Sequence, residues 1–470
     1  MLEITLTLEH KGYKPIYIQV YEYFKNEIET GRIPPKSKLP SIRGLAEHLC
    51  ISRNTIENAY QQLITEGYVH SEPRKRLIVN DIDNALLSQL HSSQLQTNDV
   101  KEHRVERFLY DFRYGNVDLD NIPHTLWKRQ MNEVLAMDDE HLIFYGNKKG
   151  DLQLRQQLAH YLFQSRGISC TADEVIIGAG MYQLLSIISQ MFLRMLDTVA
   201  VENPCYDGAR RVFINHGFTI QSVPLESDGL SIAQLEKGSA KAVYVTPSHQ
   251  FPMGMILPIQ KRLSLLKWAS ENDSFIIEDD YDSEFRYQGK PIPALKALDR
   301  NERVIYIGTF SKSFMPSIRV NYMVLPKRLL NIYDTHFATY NQPVATIIQR
   351  TLAQLLEKGI FERHIRKMRK IYSQKHTVLI EAIKQYMGEY VHIQGTQAGL
   401  HVIIRIENQD EEKLLDRALA SGINIYSADK YWMERPKDNA AYFLLGFGEL
   451  SHHDIVEGIK KLSYVWFDGE

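Results

Sequence analysis

Five β-forming apolar runs alternate with helical stretches between residues 174 and 307: Glu174 to Ile177, Thr198 to Val201, Lys241 to Val245, Ser274 to Ile277 and Val304 to Ile307. Their hydrophobicity is continuous and not confined to every second position, so each strand has to be covered on both faces. That requirement selects a mostly parallel sheet with helices on either side. Ligands of such sheets gather beyond the carboxyl ends of the strands. The polar residues that follow each run are therefore the ones to read for chemistry.

The last run breaks at Gly308 into a hydroxyl-rich turn that sets Lys312 among Thr309, Ser311 and Ser313, with Arg319 a short stretch further on. A lysine at the mouth of a buried strand loses hydration, and its amine can then attack an aldehyde. Hydroxyls and an arginine supply donors for a phosphate. Together they suggest a Schiff-base lysine holding pyridoxal 5'-phosphate, although alone the stretch also reads as an ordinary strand-to-loop junction with a solvated lysine. Asp279 ends the run before it, where a carboxylate can pair with a pyridinium nitrogen and keep the ring an electron sink. Tyr281, two residues on, points to the same side and can donate to the ring's phenolic oxygen. After the first run, Gly178-Ala-Gly180-Met181-Tyr182 opens a helix whose free N–H groups suit an anion, although a plain tight turn reads the same way. Tyr206 follows the second run and can stack on an aromatic ring or simply fill a core. His249 and Gln250 offer polar contacts in the loop after the third.

At 470 residues the chain exceeds one ordinary domain. A hydrophobic share of 44% with 24% charged residues describes a soluble globular protein. With a net charge of -2, any attraction to nucleic acid has to come from a local patch. Cys50, Cys170 and Cys205 are too scattered for a disulfide framework or a metal-ligand pattern, and no metal is expected. The first ten residues do not form a signal peptide, and no apolar run is long enough for a membrane, so the chain reads as cytoplasmic.

The basic patch is found near the N-terminus. Ser41 and Ser52 are placed to cap two closely joined helices, and Tyr68-Val-His and Leu77-Ile-Val flank the basic turn Arg74-Lys75-Arg76 as a hairpin would. Helix, short turn, helix and basic hairpin describe a winged helix-turn-helix. Ser52, Arg53, Asn54 and Thr55 start the second helix, where a major groove is read. Arg32, Lys36, Lys38 and Arg43 form a strip suited to phosphates. Residues 81–107 are polar and suit a connector.

Several motifs join these parts: Leu39-Pro40-Ser41-Ile-Arg43 and Ser52-Arg53-Asn54-Thr55 at the front, then Asp111-Phe-Arg-Tyr-Gly115, Thr246-Pro-Ser-His-Gln-Phe-Pro252, Glu278-Asp-Asp-Tyr281 and Thr309-Phe-Ser-Lys312. On them the chain resembles, nearly end to end, the MocR subfamily of GntR-type regulators. The resemblance implies a winged helix over residues 1–80, a linker over 81–107, and an aminotransferase-like domain of the type I fold over 108–470. That domain would have a large, mostly parallel sheet and a smaller C-terminal subdomain. It implies Lys312 as the Schiff-base lysine, Asp279 on the pyridine nitrogen, Tyr281 on the phenolic oxygen and Tyr206 on the ring. Gly180, Met181, Tyr182, Thr309, Ser311 and Arg319 would hold the phosphate, and Lys38 and Arg43 would join residues 52–55 on operator DNA. Lys430 stands where relatives that bind amino acids place a carboxylate-holding arginine, and with His249 it is the expected effector contact. The implied protein is a head-to-tail, domain-swapped homodimer that senses an amino acid, an amine or pyridoxal phosphate itself. A working aminotransferase is the alternative.

Overall fold

A computed structural model describes residues 4, 6–9, 14–72, 77–82, 108–137, 140–287, 292–337 and 339–468. The chain divides into two compact units, Met1–Glu106 and Arg107–Glu470. The basic turn Arg74-Lys75-Arg76 and the expected linker beyond residue 82 lie outside the described residues.

In the first unit, helix α1 (Ile16–Glu29) buries Val20, Phe24 and Ile28 and ends at Gly31, whose φ of 74° suits a residue without a Cβ. Helix α2 (Ile42–Leu49) is capped by Ser41, whose hydroxyl accepts from the Gly44 N–H at 3.1 Å. Helix α3 (Arg53–Thr65) is capped by Ser52, which accepts from Thr55 N–H at 3.2 Å. Each cap satisfies an otherwise unpaired donor and is worth about 1 kcal/mol. Strands β1 (Val69–Ser71) and β2 (Leu77–Val79) pair antiparallel with Val69 opposite Val79. Their inward residues close a core over Leu45, Ile56, Tyr60 and Leu63. This is the winged helix-turn-helix that the sequence implies.

The second unit opens with β3 (Tyr110–Asp111) and then builds β4 (Val175–Gly178), β5 (Thr198–Asn203), β6 (Thr219–Glu226), β7 (Gly229–Leu230), β8 (Ala242–Val245), β9 (Phe275–Asp280), β10 (Val304–Thr309) and β11 (Asn321–Val324). Eight of them form one sheet in the order β4-β11-β10-β9-β8-β5-β6-β7. β10, β9, β8, β5 and β6 run parallel, whereas β11 is antiparallel to both its neighbours. The five expected runs are β4, β5, β8, β9 and β10. Ile305 and Ile307 pack with Leu184 and Ile188, while Tyr306 between them packs with Leu158 and Leu352. Alternate residues of one strand therefore enter two different cores, the two-sided burial that continuous hydrophobicity requires.

The smaller C-terminal part contains β12 (His392–Gln394), β13 (His401–Glu407), β14 (Ile423–Asn424), β15 (Tyr426–Ser427) and β16 (Ala440–Gly446). Four of these make an antiparallel sheet in the order β12-β13-β16-β15, while β14 pairs parallel with β3, Tyr110 opposite Ile423. Helices Ile360–Tyr386 and His452–Ser463 cover the sheet through Leu379, Ile383, Ile455 and Ile459.

Candidate functional site

Beyond the carboxyl ends of β9 and β10 lies a cavity of about 290 Å³ lined by Met181, Tyr182, Tyr206, Asp279, Tyr281, Thr309, Ser311, Lys312 and Arg319. Gly180 stands at its edge as the N-terminal cap of helix Met181–Phe192, with φ at 91° and no side-chain cap over the first N–H groups. An anion there meets free N–H donors and the positive end of the helix dipole. The Arg319 guanidinium packs so closely on Gly180 that a Cβ at that position would collide with it. The glycine is thus what lets arginine and helix N-terminus converge on one point. Ser311 N–H donates to Thr309 Oγ1 at 3.0 Å and holds the hydroxyl turn in shape.

The Lys312 ammonium sits 4.2 Å from the centroid of the Tyr114 ring. Burial lowers its pKa to about 8, against a smaller opposing pull from Asp282. Roughly a tenth of the amine is then uncharged and nucleophilic at pH 7, far more than for an exposed lysine. Asp279 is buried, its Oδ2 accepts from the Tyr244 hydroxyl, and its Oδ1 has no partner. Burial pushes this carboxyl up to about 7. A buried carboxylate oxygen without a donor is costly unless a cation or donor meets it. A protonated ring nitrogen would supply that partner, so the residues present fit pyridoxal phosphate at both ends. Asn321 Oδ1, on the same wall, is also unpartnered.

Tyr281 donates to the backbone oxygen of His249, and its hydroxyl also lies 2.9 Å from His249 Nδ1. His249 is 1% exposed and hydrogen-bonded to Asp282 at 3.0 Å. It therefore stands behind Tyr281 and does not line the cavity, which corrects its expected contact with an effector. Lys430 departs from expectation as well: it is exposed, its ammonium lies 5.0 Å over the Tyr431 ring, and it lines no part of the cavity. A more open cleft of about 750 Å³ runs past Glu226, Met253, Gly395 and Trp432 and contains none of the residues assigned to the cofactor.

On the first unit, Lys38, Arg43, Ser52, Arg53 and Asn54 are exposed. Thr55 is half-buried, its hydroxyl 2.8 Å from that of Ser52, so both hydroxyls serve the helix cap. Arg43 pairs with Glu47 at 2.9 Å and Arg32 with Glu27 at 3.1 Å, so the basic strip is partly neutralised by acids next to it in space.

Residues 110–431 match the family described as aminotransferase class I and II, and residues 16–79 match the bacterial regulatory proteins of the gntR family. The chain belongs to the GntR-type transcriptional regulators that carry an aminotransferase class I and II domain. The regulator is 40% identical to an uncharacterized HTH-type transcriptional regulator, YdeL, of Bacillus subtilis (strain 168), over 99% of this chain and 100% of that one. It is 29% identical to the probable rhizopine catabolism regulatory protein MocR of Rhizobium meliloti, over 97% and 95%. It is 30% identical to the HTH-type pyridoxine biosynthesis transcriptional regulator PdxR of Corynebacterium glutamicum, over 92% and 91%. Among solved structures, a Pyrococcus horikoshii kynurenine aminotransferase in complex with PMP superposes with a TM-score of 0.69 at 26% identity, covering 82% of this chain and 94% of that one. The multiple substrate aminotransferase of Thermococcus profundus gives 0.70 at 28%, covering 77% and 92%.

Six lining residues of the regulator escaped the reading of individual residues: Tyr114, Gly115, Thr246, Phe251, Pro316 and Asn321. Tyr114, Gly115, Thr246 and Phe251 lie in the motifs that carry the family resemblance, so a signal was present. Asn321 begins the antiparallel β11, a four-residue strand too short to show a pattern. Among the described residues no helix is long and apolar enough to cross a membrane.

Proposed function

We propose that this regulator holds pyridoxal phosphate at Lys312 and changes its hold on operator DNA when a small amine takes the place of that lysine. The observation that carries the reading is the facing pair in one cavity: a buried Asp279 oxygen without a donor, and a lysine whose amine burial makes nucleophilic. When bound, pyridoxal phosphate supplies an aldehyde carbon that condenses with amines and a ring that accepts electron density. Asp279 would hold a proton on the ring nitrogen, Tyr281 would face the phenolic oxygen, and Tyr206 would lie against the ring. Met181, Tyr182, Thr309, Ser311 and Arg319 would hold the phosphate with Gly180. Arg53 and Asn54, exposed at the start of α3, would read bases, and Lys38 would meet phosphates.

Domain limits of 1–80, 81–107 and 108–470 are our assignment. So is a head-to-tail homodimer working in the cytoplasm, which would place two winged helices on paired half-sites. Because Asp279, Tyr281 and Lys312 are also the groups that transamination uses, a working aminotransferase is the second reading. Fluorescence anisotropy on the DNA upstream of the protein's own gene separates the two. At fixed salt, with pyridoxal phosphate and a panel of amines and amino acids, specific binding that responds to one compound supports the regulator. No specific binding, together with keto-acid production, overturns it in favour of the enzyme.

A further inference from the structure

Three buried polar groups from separate parts of the fold meet behind Tyr281, and none of them lines the cavity. His249 comes from the loop after β8, Asp282 from the loop after β9 and His401 from the start of β13, and each is 1% exposed. The two imidazole rings lie 5.1 Å apart. The C-terminal part also closes on His249 through Gly399, where φ is 80° and a Cβ would strike both the His249 ring and the Asp282 carboxylate. His249 is thus held from two sides.

Tyr281 has one proton to give. It goes to the His249 backbone oxygen at 2.9 Å, and the hydroxyl also lies 2.9 Å from His249 Nδ1. Asp282 decides what that nitrogen can do, since its Oδ2 and Oδ1 lie 3.0 and 3.2 Å from it. A carboxylate only accepts, so Nδ1 carries the imidazole hydrogen. Toward Tyr281 it can then only donate, and it does not compete for the hydroxyl proton. A hydroxyl that accepts a hydrogen bond also donates a stronger one.

We infer that His249, oriented by Asp282, is a positioning residue whose Nδ1–H donates to the Tyr281 oxygen and leaves the Tyr281 proton free to turn to the phenolic oxygen of the cofactor. This rests on the cofactor reading above and deepens it. A donor there favours the form of the cofactor with most negative charge on that oxygen, so the pH at which the bound cofactor's visible band changes is held low. Burial holds His401 well below its ordinary value and His376 at about 4, and it pushes Tyr114 and Tyr244 well up. None of these four neighbours changes charge between about pH 6 and 9. Asp279 and Lys312 are the same in every variant compared.

The test follows the visible band of the full chain loaded with pyridoxal phosphate as pH is varied. His249→Leu removes the donor and should raise the midpoint by at least about half a pH unit. His249→Asn, whose amide reaches about as far as Nδ1, should stay closer to wild type. In a Tyr281→Phe background His249→Leu should move the midpoint no further, because a residue that acts through the hydroxyl has nothing left to act on. Asp282→Asn can donate to Nδ1 and make it an acceptor, so it too should raise the midpoint. Loss of the Asp282 charge alone would lower it, since that charge raises the Lys312 pKa, and the sign therefore separates the two effects even where His249→Leu fails to fold.

An unchanged midpoint in His249→Leu, a shift that persists without the Tyr281 hydroxyl, His249→Asn no closer to wild type than His249→Leu, or a midpoint that does not rise in Asp282→Asn overturns the inference while leaving the cofactor in place. A chain that takes up no pyridoxal phosphate, or a Lys312→Ala variant with an unchanged absorption band, removes the cofactor reading and the inference together.

Discussion

Replacing Asp279 by asparagine should stabilise the cofactor-free protein while weakening its grip on the cofactor. The folded carboxyl keeps its proton up to about 7, because burial disfavours the charge, whereas an aspartate in the unfolded chain releases its proton near 3.8. Between those values the folded state binds the extra proton, so stability falls as pH rises through that window. At about 1.4 kcal/mol per pH unit the upper bound is about 4 kcal/mol by pH 8, and nothing is lost below pH 4. Asparagine has no charge to desolvate and still offers an oxygen to the Tyr244 hydroxyl.

Denaturant midpoints of the cofactor-free second unit should therefore be higher for Asp279→Asn than for wild type at pH 8, and alike at pH 4. Glu202 and Glu284 are also pushed up to about 7 by burial, but they are present in both proteins and cancel in the comparison. With pyridoxal phosphate added, the variant lacks the charged pair to the ring nitrogen. Its affinity should fall by about 1.5–3 kcal/mol, roughly 10- to 150-fold. A variant no more stable than wild type at pH 8, or one that binds the cofactor equally well, would refute the reasoning.

Three further outcomes are expected. The rate at which the protein captures pyridoxal phosphate should rise with pH and level off above about 8, since the lowered Lys312 pKa sets the fraction of free amine; a flat profile from pH 6 to 9 would count against it. Gly180→Ala should reduce phosphate and cofactor affinity together, because a Cβ there strikes the Arg319 guanidinium and a φ of 91° strains any other residue, and unaltered affinity would move the phosphate site elsewhere. Arg53→Ala should weaken operator binding by about 1–3 kcal/mol in a mobility-shift assay without altering the cofactor spectrum. Arg43→Ala should cost less, since Arg43 is already paired with Glu47.

Long buried strands were the most legible part of the sequence. β9 and β10 are buried at all six positions, so their apolar runs could be read directly, while Asp279 in β9 and Lys312 just beyond β10 drew notice only when read together. β6 was missed because its eight residues are mostly exposed or half-buried and carry little apolar signal. His249 and Lys430 show a different limit. Sequence places His249 between the lining residues Thr246 and Phe251, but which way a side chain turns depends on packing across the fold. His249 is drawn to Asp282 on another loop, and Lys430 to the ring of Tyr431. The pairing of Arg43 with Glu47 was visible as an i,i+4 spacing in a helix and went unread.

The pairing of β3 with β14 has a mechanical consequence. β3 is the first strand after the segment that leads from the winged helix, yet it is moored to the C-terminal part and not to the sheet that carries Lys312. Hydrogen bonds from Leu109 N–H to Gly422 O and from Phe112 N–H to Asn424 O, both at 2.9 Å, fasten it on either side. Any tilt of that part relative to the large sheet carries Tyr110 with it.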